Sequence, residues 1–257
     1  MKLENKVAII TGGGRGIGKA TALAFAQEKV NVVVVSRTLS EIEAVANEIR
    51  KNGQEALAIA ADVSQKSAVD SMVKQTLGRF GKVDILVNSA GVAIHNPIPK
   101  IREEDWDLTI AVNLKGVFLC TQAVFSHMCN QGYGHIVNVS SLAGKRAGAN
   151  FGAYAASKFG VMGFTEATYN EGIQYGVKAT AVCPGPVDTK MRRDNHEEDL
   201  TKIMQPEDIA DVILLIISQP SRAHISEVVV SAPLFKGDKM ILGWQRKQVE
   251  SGNSRGV

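Results

Sequence analysis

Two residues that could carry out proton chemistry, Tyr154 and Lys158, lie four positions apart in FGAYAASKFG, where most of the neighbours are small. On a helix, positions i and i+4 share a face, so the two side chains would point the same way. A nearby cation favours the phenolate of a tyrosine and lowers its pKa from about 10. The pair can therefore act as an acid or a base nearer neutral pH. Because any helix can carry Tyr and Lys at this spacing, other residues must support this interpretation.

Two polar residues earlier in the chain offer that support. Ser141 follows a β-branched segment and stands at the carboxyl end of a predicted strand. Open α/β sheets bind ligands outside the carboxyl ends of their strands. Asn113 interrupts the otherwise apolar helical segment TIAVNLKGVF. A core asparagine needs hydrogen-bond partners, which either the backbone or an internal chain of waters could supply.

A glycine-rich turn joins the first predicted strand, KVAII, to the first predicted helix, KATALAFAQE, and reads TGGGRGIG at 11–18. Glycines let the backbone approach a ligand closely, and a helix N-terminus offers N–H groups and partial positive charge to a pyrophosphate. Glycine-rich turns can also serve packing alone. The position of this turn in the first βαβ unit favours a dinucleotide site.

The end of the second predicted strand, VVVVSRT, bears on which dinucleotide would bind. An acid about 20 residues after the glycines binds the ribose 2′-hydroxyl of NAD, whereas a basic residue accommodates the 2′-phosphate of NADP. Ser36 and Arg37 stand at that position, and Arg15 in the glycine loop adds a second cation. The sequence therefore favours NADP over NAD. The alternative is that both arginines are ordinary surface charges.

These residues must be positioned by a regular alternation of strands and helices. Apolar segments that suit covered parallel strands lie at 6–10, 30–36, 55–63, 83–89, 134–141, 177–183 and 225–231. Helical patterns lie between them at 17–29, 39–52, 65–80, 103–129, 153–175 and 206–218. The alternation predicts a Rossmann-type, doubly wound parallel sheet of about seven strands with helices on both faces. We expect one domain over 1–235, followed by a polar, loosely ordered tail over 236–257.

Composition limits the classes of function. The chain has 257 residues, 45% of them hydrophobic and 21% charged, as in an ordinary globular protein. Its net charge of +3 resides in the last 22 residues, so the predicted domain lacks the basic character of a nucleic-acid binder. We expect no signal peptide, no membrane-spanning segment and a cytoplasmic location. Three widely spaced cysteines predict free, buried thiols, and the scattered histidines predict no metal site.

The motifs taken together resemble the short-chain dehydrogenase/reductase family. They are TGGGRGIG, NSAG at 88–91, Asn113, Ser141, YAASK at 154–158 and PGPVDT at 184–189. The chain looks most like the 3-oxoacyl-[acyl-carrier-protein] reductase branch and its NADP-dependent relatives. The resemblance implies that Tyr154 is the general acid/base, Ser141 orients the substrate oxygen, Lys158 lowers the pKa of the tyrosine and Asn113 holds a water in a proton relay.

The resemblance also implies the cofactor contacts. Around the pyrophosphate would lie Gly12, Gly16, Ile17 and Gly18. Asp62 and Val63 would meet the adenine, and Asn88 and Ala90 would lie along the adenosine. Lys158 would also bind the nicotinamide ribose, and the carboxamide would be fixed by Pro184, Val187 and Thr189. Asn88 has an alternative role, since it can tie strands together, and Gly91 of the NSAG motif can be a turn glycine.

Two departures from the family pattern limit what the resemblance implies, and the lid bears on the substrate. Ser89 replaces the second amide of the usual Asn-Asn-Ala-Gly, a local change. The segment around the last strand, SQPSRAHISEVVVSAPLFKG, lacks the glycines typical of acyl-carrier reductases, which leaves that substrate and the tetramer contacts open. The expected substrate lid, KMRRDNHEEDLTKIMQ, is charged and without aromatics, which disfavours bulky apolar substrates. Its Arg192 and Arg193 could attract an anionic carrier, or simply belong to a solvated face.

The leading hypothesis is an NADP(H)-dependent oxidoreductase that transfers a hydride between nicotinamide and a small carbonyl or secondary alcohol. A 3-oxoacyl substrate and a small ketone, aldehyde or diketone are both candidates. The alternative is a non-catalytic, dinucleotide-sensing protein of the same fold. The resemblance further implies a homodimer or homotetramer that pairs the helices near 103–129 and 153–175.

Overall fold

Seven parallel strands form one sheet in a computed structural model that describes residues 3–195 and 199–233. The strands are Val7–Thr11 (β1), Asn31–Ser36 (β2), Ala56–Ala60 (β3), Ile85–Asn88 (β4), Gly134–Val139 (β5), Val177–Pro184 (β6) and Glu227–Val230 (β7). Their order is β3-β2-β1-β4-β5-β6-β7, so the direction of winding reverses after β3. This architecture confirms the predicted Rossmann-type doubly wound sheet. The predicted tail over 236–257 lies outside the described residues.

Eight α-helices cover the sheet within the described ranges. They are Gly16–Gln27 (α1), Leu39–Lys51 (α2), Lys66–Phe80 (α3), Glu103–Ile110 (α4), Gly116–Asn130 (α5), Gly152–Gly172 (α6), Lys190–Asn195 (α7) and Pro206–Ile217 (α8). Short 3-10 turns occupy Ile98–Lys100, Leu142–Gly144, Ile173–Tyr175 and Leu200–Lys202. All six predicted helices are present, and α7 is an additional one that hydrophobic periodicity did not predict.

Both faces of the sheet are apolar because each strand alternates its side chains between two cores. Ile10 belongs to the core under α1, α2 and α8, which includes Phe25. Its neighbour Ile9 belongs to the opposite core under α3 and α5, which includes Met72. Burial on both faces explains why the strands read as continuous β-branched segments rather than as alternating ones.

The segment predicted as one helix over 103–129 is interrupted in the structure. Residues Ala111–Lys115 form a π-helical turn between α4 and α5, so Asn113 stands at a local bulge in the helix. By length and composition the helix Glu103–Asn130 could cross a membrane, contrary to the expectation that no segment is apolar enough. Half of its apolar window is buried inside the protein, where Leu119 and Val124 pack in the core against the sheet.

The three cysteines are free, as predicted. Cys120 and Cys183 are buried, but Cys129 is only partly so, which corrects the expectation for that residue.

A chain of buried amides connects the middle of the sheet to α6. The Asn88 amide nitrogen donates to the Asn138 side-chain oxygen at 2.8 Å, and the Asn138 amide nitrogen donates to Thr165 Oγ1 at 2.9 Å. Asn88 and Asn138 are also directly paired across β4 and β5, and both are buried. These contacts support the alternative in which Asn88 ties strands together. They also hold α6 against the carboxyl ends of the two central strands.

Replacing Asn88 with alanine should therefore destabilise the protein, because the Asn138 side-chain oxygen would remain buried without its donor. We expect the free energy of unfolding to fall by about 1–3 kcal/mol, measured by urea denaturation. Asn52→Ala, at an exposed helix end, is the control and should change stability little. If Asn88→Ala kept full stability but lost dinucleotide affinity, the cofactor role of Asn88 would be the correct one.

Candidate active site

A cavity of about 430 Å³ lies along the carboxyl ends of the strands and extends from the glycine loop to Tyr154. Of the predicted site residues, those that line it are Gly12, Arg15, Gly16, Ile17, Ser36, Arg37, Asp62, Val63, Ala90, Ser141, Tyr154, Lys158, Pro184, Val187 and Thr189. Gly18, Asn88 and Asn113 are not among its lining residues. The sheet order explains this arrangement, because parallel strands bring the loops that follow them to one edge.

Tyr154 and Lys158 share a face of α6, as their spacing predicts, with Lys158 Nζ 5.7 Å from the centre of the tyrosine ring. Lys158 is buried, and its Nζ donates to the carbonyl oxygen of Val139 at 2.9 Å. The helix lies close to the loop after β5, where Ser140 Oγ donates to the Lys158 carbonyl oxygen at 3.1 Å. A Cβ added to Gly144 would lie 2.9 Å from that same carbonyl oxygen. The small residues Ser140 and Gly144 therefore let this loop approach the backbone of α6 at Lys158.

Ser141 faces the tyrosine from the loop that follows β5. Its Oγ accepts a hydrogen bond from the Ala143 backbone N–H at 3.1 Å, which caps the short turn Leu142–Gly144. The same hydroxyl lies near enough to the Tyr154 phenol to lower its pKa. The turn thus fixes the serine side chain beside the tyrosine.

Burial controls the protonation of both residues. Removal from water disfavours charged forms. Burial therefore raises the pKa of Tyr154 above its ordinary value, although Ser141 and the charge of Arg192 lower it. Burial also lowers the pKa of Lys158 to about 8, although Cys183 raises it. Desolvation is the largest of these effects, so the pKa of Tyr154 lies above its ordinary value, and the lowering of that pKa by Lys158 stays a prediction.

Asn113 is fully buried and takes its partners from the protein itself. Its Oδ1 accepts from the Val92 N–H at 2.8 Å, and its Nδ2 donates to the Val92 carbonyl at 2.9 Å and to Ser157 Oγ at 3.1 Å. Ser157 Oγ in turn donates to the Tyr154 carbonyl at 2.7 Å. Of the two alternatives, these contacts favour backbone partners. They connect the π-helical turn, the loop after β4 and the first turn of α6.

Gly91 lies between Asn113 and Lys158, so its small size matters there as well as in a turn. An added Cβ would lie 3.3 Å from Asn113 Oδ1 and 4.0 Å from Lys158 Nζ. The small residue keeps open the space between the asparagine and the lysine.

The glycine loop packs closely against neighbouring backbone and side chains. Gly12 has φ +67°, and a Cβ there would lie 2.9 Å from the Ala90 backbone. Gly16, with φ +53°, lies against the Thr189 side chain. A Cβ on Gly18 would collide with the Gly12 carbonyl oxygen, so Gly18 serves the packing of helix against loop. The loop leads into the N-terminus of α1, whose first N–H groups lack helical partners and suit a pyrophosphate.

The end of the cavity nearest β2 carries charges of both signs. Arg15 and Arg37 line it as predicted, but so does Glu41, whose Oε1 lies 3.9 Å from Arg15 Nη1. Burial raises the pKa of Asp62, but hydrogen bonds from Ser64 and the charge of Arg37 bring it below its ordinary value. Sequence reasoning missed Glu41, although it lies only four residues after Arg37.

The comparison with known proteins agrees with this geometry. The family model described as short chain dehydrogenase matches residues 6–200, which include the glycine loop, Ser141, Tyr154 and Lys158. The chain belongs to the short-chain dehydrogenase family. It is thus an oxidoreductase by family.

Individual relatives within the family cover almost the whole chain. One is the (2S)-[(R)-hydroxy(phenyl)methyl]succinyl-CoA dehydrogenase subunit BbsD of Thauera aromatica, 40% identical over 230 residues, which cover 86% of this chain and 92% of that protein. Another is a 3-oxoacyl-[acyl-carrier-protein] reductase of Synechocystis sp., 39% identical over 231 residues, with coverage of 87% and 94%. A solved metagenomic short-chain oxidoreductase in complex with NADP superposes with a TM-score of 0.80 at 36% identity, covering 92% of this chain and all of that one.

This short-chain dehydrogenase also has an aromatic wall that sequence reasoning missed. His95 stacks on Phe151 with ring centres 4.1 Å apart, and its edge faces the Tyr154 ring at 5.7 Å. Both residues line the cavity. Their positions in the sequence could have identified them as cavity residues. His95 follows β4 at the edge of the sheet where the cavity lies, and Phe151 is one helical turn before Tyr154.

The expected lid segment lies partly within the described residues. Its first part forms α7, from which Lys190, Met191, Arg192 and Asn195 line the cavity. Arg193 points elsewhere and donates to Asp188 at 2.6 and 2.8 Å. The two adjacent arginines of this family member therefore occupy different environments.

Proposed function

We propose that the protein is an NADP(H)-dependent reductase of carbonyl compounds, and dehydrogenase of the corresponding alcohols, with Tyr154 as the general acid/base. One observation carries the proposal: Tyr154, Ser141 and Lys158 line the same cavity as the glycine loop. A reducible carbonyl placed beside the tyrosine would thus meet both an acid and the end of a bound dinucleotide.

The residues present fit an NADP(H) molecule along the cavity. When bound, it supplies or accepts the hydride at its nicotinamide ring. Gly12, Gly16 and Ile17 would border the pyrophosphate, and Asp62 with Val63 would meet the adenine. At the other end the carboxamide would lie against Pro184, Val187 and Thr189, all of which line the cavity. Ala90, which packs against Gly12, would lie along the adenosine.

The side chains near α6 would manage the proton. Ser141 Oγ would hydrogen-bond the substrate oxygen and orient it towards the Tyr154 phenol. Tyr154 would give its proton to that oxygen during reduction and take it back during oxidation. The Lys158 ammonium would stabilise the phenolate as it forms, which matters because burial alone opposes that charge. Asn113 would act indirectly, by holding Val92 and Ser157 in place.

NADP is the preferred cofactor in this proposal because Arg15 and Arg37 line the adenosine end of the cavity. The NADP complex of the solved relative supports the choice. Glu41 opposes it, since a carboxylate beside a 2′-phosphate repels it. We therefore expect the protein to bind NADP(H) more tightly than NAD(H), with Glu41 reducing the difference in affinity.

The substrate class follows from the site and the relatives together. The family acts on small molecules, and the two relatives named above act on a CoA thioester and an acyl-carrier thioester by their names. A 3-oxoacyl thioester and a small ketone, aldehyde or diketone are both candidates for this chain. The aromatic wall of His95 and Phe151 supplies the aromatic surface that the lid sequence lacks.

Self-association is part of the proposal. Apolar side chains that are more than one third exposed lie along α4, α5 and α6, namely Trp106, Leu108, Phe118 and Phe159. A homodimer or homotetramer that pairs these helices would cover them. A cytoplasmic location and the absence of nucleic-acid and membrane partners remain predictions.

Replacing Tyr154 with phenylalanine should lower kcat for reduction of a carbonyl panel by about 10²–10⁴-fold, because the proton donor is lost. NADPH consumption is the readout, and the panel includes an acetoacetyl thioester. NADPH affinity, measured by fluorescence titration, should change little. Tyr169→Phe is the matched control, since Tyr169 lies on the same helix but stacks on His224. Binding of NADPH by the wild type without turnover of any carbonyl or alcohol would instead support the dinucleotide-sensing alternative.

Cofactor preference can be tested by binding alone. We expect the wild type to bind NADPH more tightly than NADH, and Arg37→Asp to reverse the order by removing a cation and placing an acid at the 2′-position. Glu41→Gln should strengthen NADPH binding by about two- to fivefold, a modest gain because the group is partly exposed. Arg50→Gln is the control, because Arg50 lies on the same helix and pairs with Glu43 outside the cavity. A wild-type preference for NADH would contradict the assignment.

A further inference from the structure

The lid helix α7 presents two adjacent arginines to different surroundings. Arg193 is exposed, and its guanidinium forms two hydrogen bonds with Asp188 at 2.6 and 2.8 Å. Arg192 is half-buried and lines the cavity that holds Tyr154. The backbone N–H of Arg192 donates to the Thr189 carbonyl at 2.9 Å, which fixes the start of the helix. The fold therefore directs one of the two guanidinium groups towards the reacting end of the cavity.

The charge of Arg192 reaches the phenol of Tyr154, whose pKa it lowers. The neighbouring residue Met191 reaches the same part of the cavity, since a Cβ added to Gly91 would lie 3.9 Å from Met191 Cε and 4.0 Å from Lys158 Nζ. An anionic group bound by Arg192 would therefore lie in the same part of the cavity as a carbonyl bound by Tyr154. The phosphates of coenzyme A or of a carrier protein lie at the far end of a long pantetheine arm, so they do not meet this requirement.

Along the described part of the cavity, the carboxylates lie at one end only. Its two carboxylates, Glu41 and Asp62, lie at the adenosine end beside Arg15 and Arg37. The remaining charged lining residues are Arg146, Lys158, Lys190 and Arg192, all of them cationic. Lys190 is bound to Asp194 at 2.9 Å. A cavity whose described charges outside the adenosine end are cationic attracts anions.

We propose that Arg192 is a specificity-determining residue that binds a substrate carboxylate, so that the preferred substrates are oxo acids with the carboxylate a few bonds from the carbonyl. This inference rests on the proposed function. The planar guanidinium suits a carboxylate because it can donate two parallel hydrogen bonds. Arg192 takes part in an interaction of its own in the structure, which the carboxylate would share or replace.

The carboxylate takes no part in the chemistry. The carbonyl carbon gains a hydride from NADPH, the carbonyl oxygen gains the proton of Tyr154, and NADPH leaves as NADP⁺. The ionic contact at Arg192 would hold the carbonyl at the correct distance from the tyrosine. Loss of that contact should therefore raise KM more than it lowers kcat.

The test compares three oxo acids, 3-oxobutanoate, 4-oxopentanoate and 5-oxohexanoate, with their methyl esters in steady-state assays with NADPH. We expect kcat/KM for the best acid to exceed that of its ester by about tenfold or more, mainly through KM. Arg192→Gln should bring the ratio near unity, and Arg192→Lys should keep part of it. Arg193→Gln is the matched control and should keep the wild-type ratio. The KM for NADPH should be the same in all four proteins.

Binding gives a second readout that does not depend on turnover. Calorimetry with the Tyr154→Phe enzyme loaded with NADPH should show tighter binding of the acid than of its ester, and adding Arg192→Gln should remove the difference. This measurement also shows whether an inactive variant is folded.

The outcomes separate this inference from the proposed function. Equal or faster reduction of the esters, or reduction of neutral ketones and aldehydes alone, would overturn the inference and leave the proposed function in place. An acid preference that survives Arg192→Gln would also overturn it, as would an equal rise in the KM for NADPH. No reduction of any carbonyl would overturn both.

Discussion

The buried ammonium group of Lys158 is the constraint on which the arrangement of the site depends. A lysine removed from water must have its charge stabilised, or its pKa falls. Here one hydrogen bond to the Val139 carbonyl partly compensates, and the pKa falls to about 8. The loop after β5 must therefore lie directly against α6, and the glycine at position 144 makes that approach possible. Ser141, which follows in the same loop, is placed beside Tyr154 as a result.

The same constraint extends to the rest of the sheet edge. The π-helical turn places Asn113 so that it can bind both the Val92 backbone and Ser157, one residue before the lysine. The amides of Asn88 and Asn138 hold the two central strands in register and bind α6 through Thr165. Asn88, Asn113 and Asn138 thus each have a side-chain partner on another element. These contacts join the loop after β4, the π-helical turn and the loop after β5 to α6 at one side of the cavity.

The sequence was sufficient to predict the sheet, because the strands are apolar on both faces and the glycine loop marks the first βαβ unit. Most of the site residues that it predicted line the cavity, since the motifs lie where strands end. It could not show the break at 111–115, which depends on contacts between Asn113 and a loop 21 residues away. Nor could it give the direction of the tyrosine pKa, because burial of the whole junction is a tertiary property. The two arginines at 192 and 193 look alike in sequence, and the structure distinguishes them, since Arg192 lines the cavity and Arg193 binds Asp188.

The measurement that tests the account most directly is the pH dependence of carbonyl reduction by enzyme loaded with NADPH. As pH rises through about 8, Lys158 loses its proton, and the phenolate formed when Tyr154 donates its proton loses a stabilising charge. The reduction rate should be level below that pH and fall above it, and Lys158→Arg should remove the fall because arginine stays charged. A wild-type rate that stays level up to the ordinary lysine value of 10.5 would contradict the account.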